Sequence, residues 1–125
     1  MKIAIIGSRT FKDYELLKTV LNYHKNKIEI IISGGAFGAD SLGKKYAKEN
    51  NIPITKFLPD WKKHGNSAGF VRNKDIIYAS DYIYAFWDGV SKGTKNSIEW
   101  CHKYKKSYTV IFFDNEENSL EEFLK

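Results

Sequence analysis

The sequence predicts an α/β fold: a single domain built on an open, mostly parallel sheet of five strands, with helices on both faces. Five short runs rich in Ile, Val, Tyr and Phe begin 25, 26, 28 and 26 residues apart, which is the length of one strand and one crossover helix. The runs are continuously apolar, and this indicates burial on both faces of the sheet. In such sheets, ligands bind beyond the carboxyl ends of the strands.

The strands are expected at residues 3–6, 28–32, 54–58, 82–87 and 108–113. The first helix is predicted at 13–21, where apolar side chains at 14, 17 and 21, and at 16 and 20, form one stripe and acids occupy the first turn. Further helices are predicted at about 39–49, 68–79 and 95–104, and a short closing helix at 119–125. We therefore expect residues 1–113 to form the ligand-binding domain, and residues 114–125 to form an acidic helix or tail packed on it.

The composition is that of a soluble globular protein. Hydrophobic residues make up 42% of the sequence and charged residues 28%, which is too apolar for a disordered tail and too evenly charged for a membrane protein. No apolar run approaches the roughly 18 residues of a bilayer span, and the run at 3–7 is too short for the centre of a signal peptide. Cys101 is the single cysteine, so an internal disulfide and a cysteine-rich metal site are excluded. We expect a cytoplasmic protein with no metal site and no membrane partner.

Positive charge is concentrated before the last twelve residues. The formal net charge is +5 for the whole chain and +9 for residues 1–113, since residues 114–125 contain five acids and one lysine. This excess favours partners that carry phosphate, whether mononucleotides, dinucleotides or a nucleic-acid backbone. A lysine-rich composition that only solvates the surface would give the same count.

The first two strand-to-helix loops have the composition of a phosphate site. Gly7-Ser8-Arg9-Thr10 combines a glycine, where the backbone can approach a ligand, with a hydroxyl and a guanidinium; an ordinary turn with an exposed Arg is the alternative. Ser33-Gly34-Gly35-Ala36-Phe37-Gly38-Ala39-Asp40 places three glycines before a helix, which predicts either a phosphate-binding loop of backbone N–H groups or a structural tight turn. Asp40 is expected either to satisfy donors at the helix start or to contact ribose hydroxyls.

The third and fourth loops add an aromatic surface and further donors. Trp61 is expected either to stack on a base or to anchor its loop in the core. Arg72 and Asn73 lie about one turn into the third predicted helix, where Arg72 reaches a phosphate or a developing charge if that helix opens on the same cleft. Trp87-Asp88-Gly89 forms a turn after the fourth strand, and Gly93-Thr94 supplies a backbone amide and a hydroxyl at a helix start.

Taken in order, these loops resemble the SLOG superfamily and, within it, the YspA-like group. The motifs are Gly7-Ser8-Arg9, Ser33-Gly34-Gly35-Ala36-x-Gly38-Ala39-Asp40, Ala68-Gly69-x-x-Arg72-Asn73 and Ala85-Phe86-Trp87-Asp88-Gly89-x-Ser91-x-Gly93-Thr94, spread over about residues 1–113. The resemblance implies a Rossmann-like fold and a pocket for nucleotides or nucleotide-derived ligands. Relatives include the lonely-guy phosphoribohydrolases, which cleave the N-glycosidic bond of nucleoside monophosphates, the DprA-like proteins, which bind single-stranded DNA, and sensor domains that recognise NAD-derived signals.

The chain departs from the hydrolase pattern at one position. The hydrolase relatives use an Arg on the third helix and a Glu three residues after a Gly-Thr pair; Arg72 and Gly93-Thr94 match, but Ser97 stands where the Glu would be. A serine cannot act as a carboxylate base or stabilise an oxocarbenium ion by charge. Arg72, Asp40 and Asp88 therefore remain the only catalytic candidates, and nothing in the sequence requires any of them to act.

The main prediction is a protein that senses, carries or sequesters a small nucleotide or an NAD- or ADP-ribose-type ligand, without a further cofactor. The phosphates would contact Ser8, Arg9, Gly34, Gly35, Gly38, Arg72, Gly93 and Thr94, and the base would lie near Trp61 or Trp87. The alternatives are cleavage of a nucleotide N-glycosidic bond and binding of single-stranded nucleic acid. A homo-oligomer is a further expectation, with Tyr78, Tyr82 and Trp100 as its apolar surface.

Overall fold

The computed structural model describes residues 1–114 and contains one five-stranded sheet. The strands are β1 (Lys2–Gly7), β2 (Ile30–Ser33), β3 (Ile54–Lys56), β4 (Tyr82–Trp87) and β5 (Ser107–Phe112). All neighbouring strands are parallel, and their order across the sheet is β3-β2-β1-β4-β5. The predicted α/β class and the parallel sheet are confirmed. The predicted closing helix at 119–125 lies outside the described residues.

Residues 1–114 contain five α-helices: α1 (Tyr14–Leu21), α2 (Ala39–Glu49), α3 (Trp61–His64), α4 (Ala68–Ala79) and α5 (Lys92–Lys103). All but the short α3 pack on a face of the sheet. Alternate residues of β1 pack on opposite sides because side chains alternate along a strand. Ile3 and Ile5 join the core under α1 and α2, whereas Ala4 and Ile6 join the core under α4 and α5. Both cores are buried, which explains why the strand sequences are apolar without alternation. No helix within residues 1–114 has the length and apolar character to cross a membrane.

Element boundaries differ from the predictions where polar side chains redirect the backbone. Asp60 accepts a hydrogen bond from the Lys63 amide at 3.1 Å, so Trp61 lies in the short α3 and not in a loop. The Asp88 carboxylate accepts from the Ser91 amide at 2.7 Å, and α5 begins at Lys92, three residues before the predicted start. Residues 22–27 form a 3₁₀ helix, and β2 therefore begins at Ile30 and not at residue 28.

The expected apolar surface of Tyr78, Tyr82 and Trp100 does not assemble. Tyr82 packs with the core under α1 and α2, and its hydroxyl is bonded to that of Thr109. Trp100 packs on the opposite face of the sheet, where it stacks on Tyr104, which also contacts Tyr78. The prediction of one shared surface is wrong because β4 directs Tyr82 to the other side of the sheet.

Candidate functional site

A cleft of about 340 Å³ opens at the carboxyl edge of the sheet, beside β1. The chain passes from β1 to β2 on one side and later to β4 on the other, so the strand order reverses at this point, as it does at ligand sites of open α/β sheets. The cleft is lined by Ile6, Gly7, Ser8, Arg9, Thr10, Ala36, Asp40, Arg72, Asn73, Ile76, Ser91, Gly93, Thr94 and Ser97. Four loops that are distant in sequence therefore meet in one site.

Two glycines allow these loops to approach one another. Gly38 has a φ of +78°, and a Cβ added there would collide with the carbonyl oxygen of Ser8 in the first loop. At Gly34 an added Cβ would lie 2.7 Å from Nη1 of Arg72. The contacts require glycine at both positions. The glycine-rich segment thus has a close-packing role in addition to any contact with a ligand.

Arg72 connects α4 to the loop between β2 and α2, residues 34–38, which we call the glycine loop. Its Nη1 donates to the carbonyl oxygen of Gly34 at 2.7 Å and, more weakly, to that of Phe57 at 3.4 Å. Its Nε donates to Oδ1 of Asn73 at 3.1 Å. Burial lowers the pKa of Arg72, and the nearby Asp40 carboxylate opposes that shift. These hydrogen bonds fix the position of the guanidinium, which also lines the cleft.

Asp40 is the buried carboxylate of the site. It lies in the first turn of α2, but its Oδ2 accepts from the amide of Ala36 in the preceding loop, at 3.1 Å. Burial raises its pKa to about 6, although the Ala36 amide and the Arg72 charge act in the opposite direction. Asp40 therefore fixes the conformation of the glycine loop through its bond to the Ala36 amide. One prediction was that Asp40 satisfies the first amide donors of α2; this prediction is wrong, because the Ala36 amide lies before the helix.

Three groups in the cleft lining have no hydrogen-bond partner within residues 1–114. Thr94 and Ser97 are only 6% and 2% exposed, yet both line the cleft. Their hydroxyls and the exposed Arg9 guanidinium make no hydrogen bond to another described group, although the Arg9 charge interacts with Asp40 and Arg72. Nearly buried hydroxyls normally find a partner within the protein. Their placement is typical of groups that bind a ligand.

Asp88 and Trp87 lie outside the cleft lining. The Asp88 carboxylate accepts from the amides of Val90 and Ser91 and from the Ser91 hydroxyl. Burial alone would raise its pKa, but these hydrogen bonds outweigh that effect and lower it to about 2. The Asp88 amide donates to Oγ of Ser8 at 3.2 Å. Asp88 thus holds the loop before α5 in place, and the Trp87 indole donates to the Ser91 carbonyl oxygen at 3.0 Å.

The remaining predicted site residues lie near the cleft without lining it. Ser33 and Gly35 line a smaller pocket on the other side of the glycine loop, and Gly38 lines an open hollow beside Arg9. Trp61 is exposed on α3 and is not anchored in the core. The sequence analysis missed Ile6 and Ile76 in the lining and weighed Ser97 only as a replaced Glu. Thr10, Ala36 and Ser91, which lie inside the predicted motifs but were not named as site residues, also line the cleft. Helical spacing of three residues from Thr94 would have placed Ser97 in the site.

Comparisons with known proteins agree with this architecture. The sequence profile of the YspA, cpYpsA-related SLOG family matches residues 1–64. The Gene 61 protein of Mycobacterium phage D29 is 31% identical over 111 residues, which cover 82% of this chain and 89% of that protein. The profile match includes the loops that carry Arg9 and Asp40.

Solved structures share the fold at low sequence identity. DNA processing protein A (DprA) of Streptococcus pneumoniae superposes with a TM-score of 0.76 at 15% identity, covering 98% of this chain and 55% of that one. DprA of Helicobacter pylori, which has a unique single-stranded DNA binding mode, superposes with a TM-score of 0.70 at 22% identity, covering 98% and 73%. The chain thus spans about half of the first structure and shares a Rossmann-like fold with both. The sequence matches establish the closer relation: the chain belongs to the YspA, cpYpsA-related SLOG family.

Proposed function

We propose that the protein binds single-stranded nucleic acid and holds one backbone phosphate in the cleft. The observation that carries this proposal is the convergence of Arg9, Thr94 and Ser97 on one cleft without hydrogen-bond partners among the described residues. A guanidinium and two hydroxyls are suited to the oxygens of a phosphate, and Arg72 adds a second positive charge beside them. The net charge of +9 for residues 1–113 would attract a polyanion to the protein.

The surroundings of the cleft favour a strand over an isolated nucleotide. Phe37, in the glycine loop, and Trp61, on α3, are large aromatic side chains exposed at the same edge of the sheet. Exposed rings provide stacking surfaces for unpaired bases, and neighbouring lysines track the backbone. The shared fold with a DprA that has a single-stranded DNA binding mode supports the same proposal by analogy.

The test is a fluorescence-anisotropy titration of an oligothymidylate of about 16 nucleotides, with a duplex of equal length as competitor. We expect the strand to bind, the duplex to compete poorly, and the affinity to fall steeply as salt increases. Arg9→Gln is expected to weaken binding by about tenfold, because a charge-assisted hydrogen bond to phosphate is lost. Arg9 is exposed and its side chain has no hydrogen-bond partner among the described residues, so the variant should keep its thermal stability.

The matched control is Lys25→Gln, which removes one exposed positive charge from the 3₁₀ helix at the opposite edge of the sheet. If both variants lost the same affinity, binding would depend on net charge alone, and the cleft would not be the site. Equal affinity for strand and duplex would contradict recognition of single-stranded nucleic acid.

Binding of a free nucleotide is the second candidate. The cleft volume of about 340 Å³ is within the range of small-molecule sites, which favours a nucleotide that fits wholly inside. Thymidine monophosphate, NAD and ADP-ribose would be tested as competitors of the oligonucleotide. A free ligand that binds more tightly than the strand, with weak dependence on salt, would favour this candidate over the first.

A further inference from the structure

A second pocket, of about 160 Å³, lies on the far side of the glycine loop from the cleft. It is lined by Ser33, Gly35, Ala36, Phe37, Asp40, Ser41, Lys44 and Lys56. Ala36 and Asp40 line both cavities, so the glycine loop alone separates them. The proposed function makes no use of this pocket.

The pocket brings two positive charges together. Lys44 projects from α2 and Lys56 from the end of β3, and the Lys56 ammonium, which contacts that of Lys44, lowers the pKa of Lys44. Within residues 1–114, neither ammonium forms an ion pair with an acid. Two adjacent like charges repel, and an anion placed between them would remove that repulsion.

The backbone fixes where these charges lie. A Cβ added to Gly35 would be 3.8 Å from Cδ of Lys56, so the stem of Lys56 passes beside the glycine loop. Asp40 is the acid among the lining residues, and its Oδ2 accepts from the Ala36 amide, with Arg72 nearby on the cleft side. Phe37 completes the pocket with a ring that is 79% exposed.

We propose that the second pocket holds the next phosphate of the bound strand between Lys44 and Lys56, with an adjacent base on the Phe37 ring. This inference rests on the proposed function, because it assigns a neighbouring subsite to the same ligand. It explains why the lysine pair lies beside the cleft and not elsewhere on a lysine-rich surface. It also defines the ligand as a chain of at least two nucleotides.

The experiment measures the salt dependence of oligothymidylate binding by the double variant Lys44→Gln/Lys56→Gln. The slope of log K against log salt is negative, and loss of one phosphate contact reduces its magnitude by about 0.7 for a single strand. We expect this decrease together with weaker binding of the strand, while the affinity for thymidine monophosphate, which occupies the cleft alone, stays unchanged. The thermal midpoint should stay the same or rise, because the exposed lysines repel each other.

The control is Lys25→Gln/Lys48→Gln, which removes two exposed positive charges near the opposite edge of the sheet. An equal salt slope in the two double variants would overturn the second subsite and leave the proposed function intact. If the wild-type protein bound thymidine monophosphate but no strand, the proposed function itself would fail, and this inference with it. The two failures are therefore distinguishable.

Discussion

Cationic groups at the amino and carboxyl edges of the sheet differ in their hydrogen bonding. At the amino edge, the N-terminal ammonium of Met1 donates to the Lys27 carbonyl oxygen at 2.7 Å, and Lys106 Nζ donates to the carbonyl oxygens of Tyr78 and Ser80 at 3.0 and 2.8 Å. At the carboxyl edge, Arg9 and the Lys44–Lys56 pair have no such partners among the described residues. Cationic groups thus stabilise the fold at the amino edge and, in our proposal, bind a ligand at the carboxyl edge.

Arg72→Gln is expected to have the largest effect, because Arg72 both stabilises the fold and lines the cleft of the proposed ligand. We expect strand binding to fall roughly 100-fold, since a charged donor in the cleft is lost. The thermal midpoint should fall as well, because the Gly34 and Phe57 carbonyl oxygens lose their donor. Anisotropy and thermal denaturation measure the two effects separately.

Lys106→Gln is the matched change at the amino edge. It removes a cation that donates to two carbonyl oxygens, so we expect lower thermal stability with unchanged strand affinity. If Lys106→Gln weakened strand binding as much as Arg72→Gln, binding would not be confined to the carboxyl edge.

Phe37→Ala removes an exposed aromatic ring at the carboxyl edge and tests whether that ring contributes to strand binding. Stacking of one base is worth about 1–3 kcal/mol, so the variant should bind the strand roughly tenfold more weakly. Tyr23→Ala is its counterpart, since Tyr23 is 84% exposed at the amino edge. Strand titrations of both variants should show a loss for Phe37→Ala alone. Equal affinities would remove Phe37 from the binding surface.

The helices and strands at the carboxyl edge could be predicted from the sequence better than the side-chain contacts between them. The bounds of α2 and α4 agree with the predictions, and α2 begins directly after Gly38, the last glycine of the loop that the sequence placed before a helix. The lysine pair was not foreseen, since Lys44 and Lys56 meet only through the pairing of β2 with β3. Likewise, the Asp40 carboxylate bonds to Ala36 through a loop conformation that the positive φ of Gly35 and Gly38 makes possible, and propensity does not specify this bond.

Asp40 makes the carboxyl edge sensitive to pH. Its pKa is raised to about 6, so the carboxylate is charged above that pH and takes up a proton below it. A neutral Asp40 repels phosphate less, and strand affinity should therefore rise a few-fold as the pH falls from about 7.5 to about 5. The oligothymidylate must lack a terminal phosphate, whose second ionisation falls near pH 6.

Asp40→Asn is the control for this pH dependence, because the amide oxygen can still accept from Ala36. The variant should bind at pH 7.5 as tightly as the wild type does at low pH, and its affinity should vary little with pH. A pH profile that stayed the same in Asp40→Asn would assign the titration to another group.

Gly93→Ala is the mildest change and examines how closely a ligand approaches α5. Gly93 is an exposed cleft residue in the first turn of the helix, and a Cβ added there would meet nothing within 4 Å. The free protein should therefore be no less stable, and alanine favours the helix by up to about 1 kcal/mol. Gly69→Ala, in the first turn of α4, adds a methyl into equally open space without lining the cleft. If a phosphate rests against the Gly93 backbone, Gly93→Ala should weaken strand binding a few-fold while Gly69→Ala leaves it unchanged. Equal affinities in the two variants would place the ligand nearer the walls formed by Arg9 and Arg72 than the start of α5.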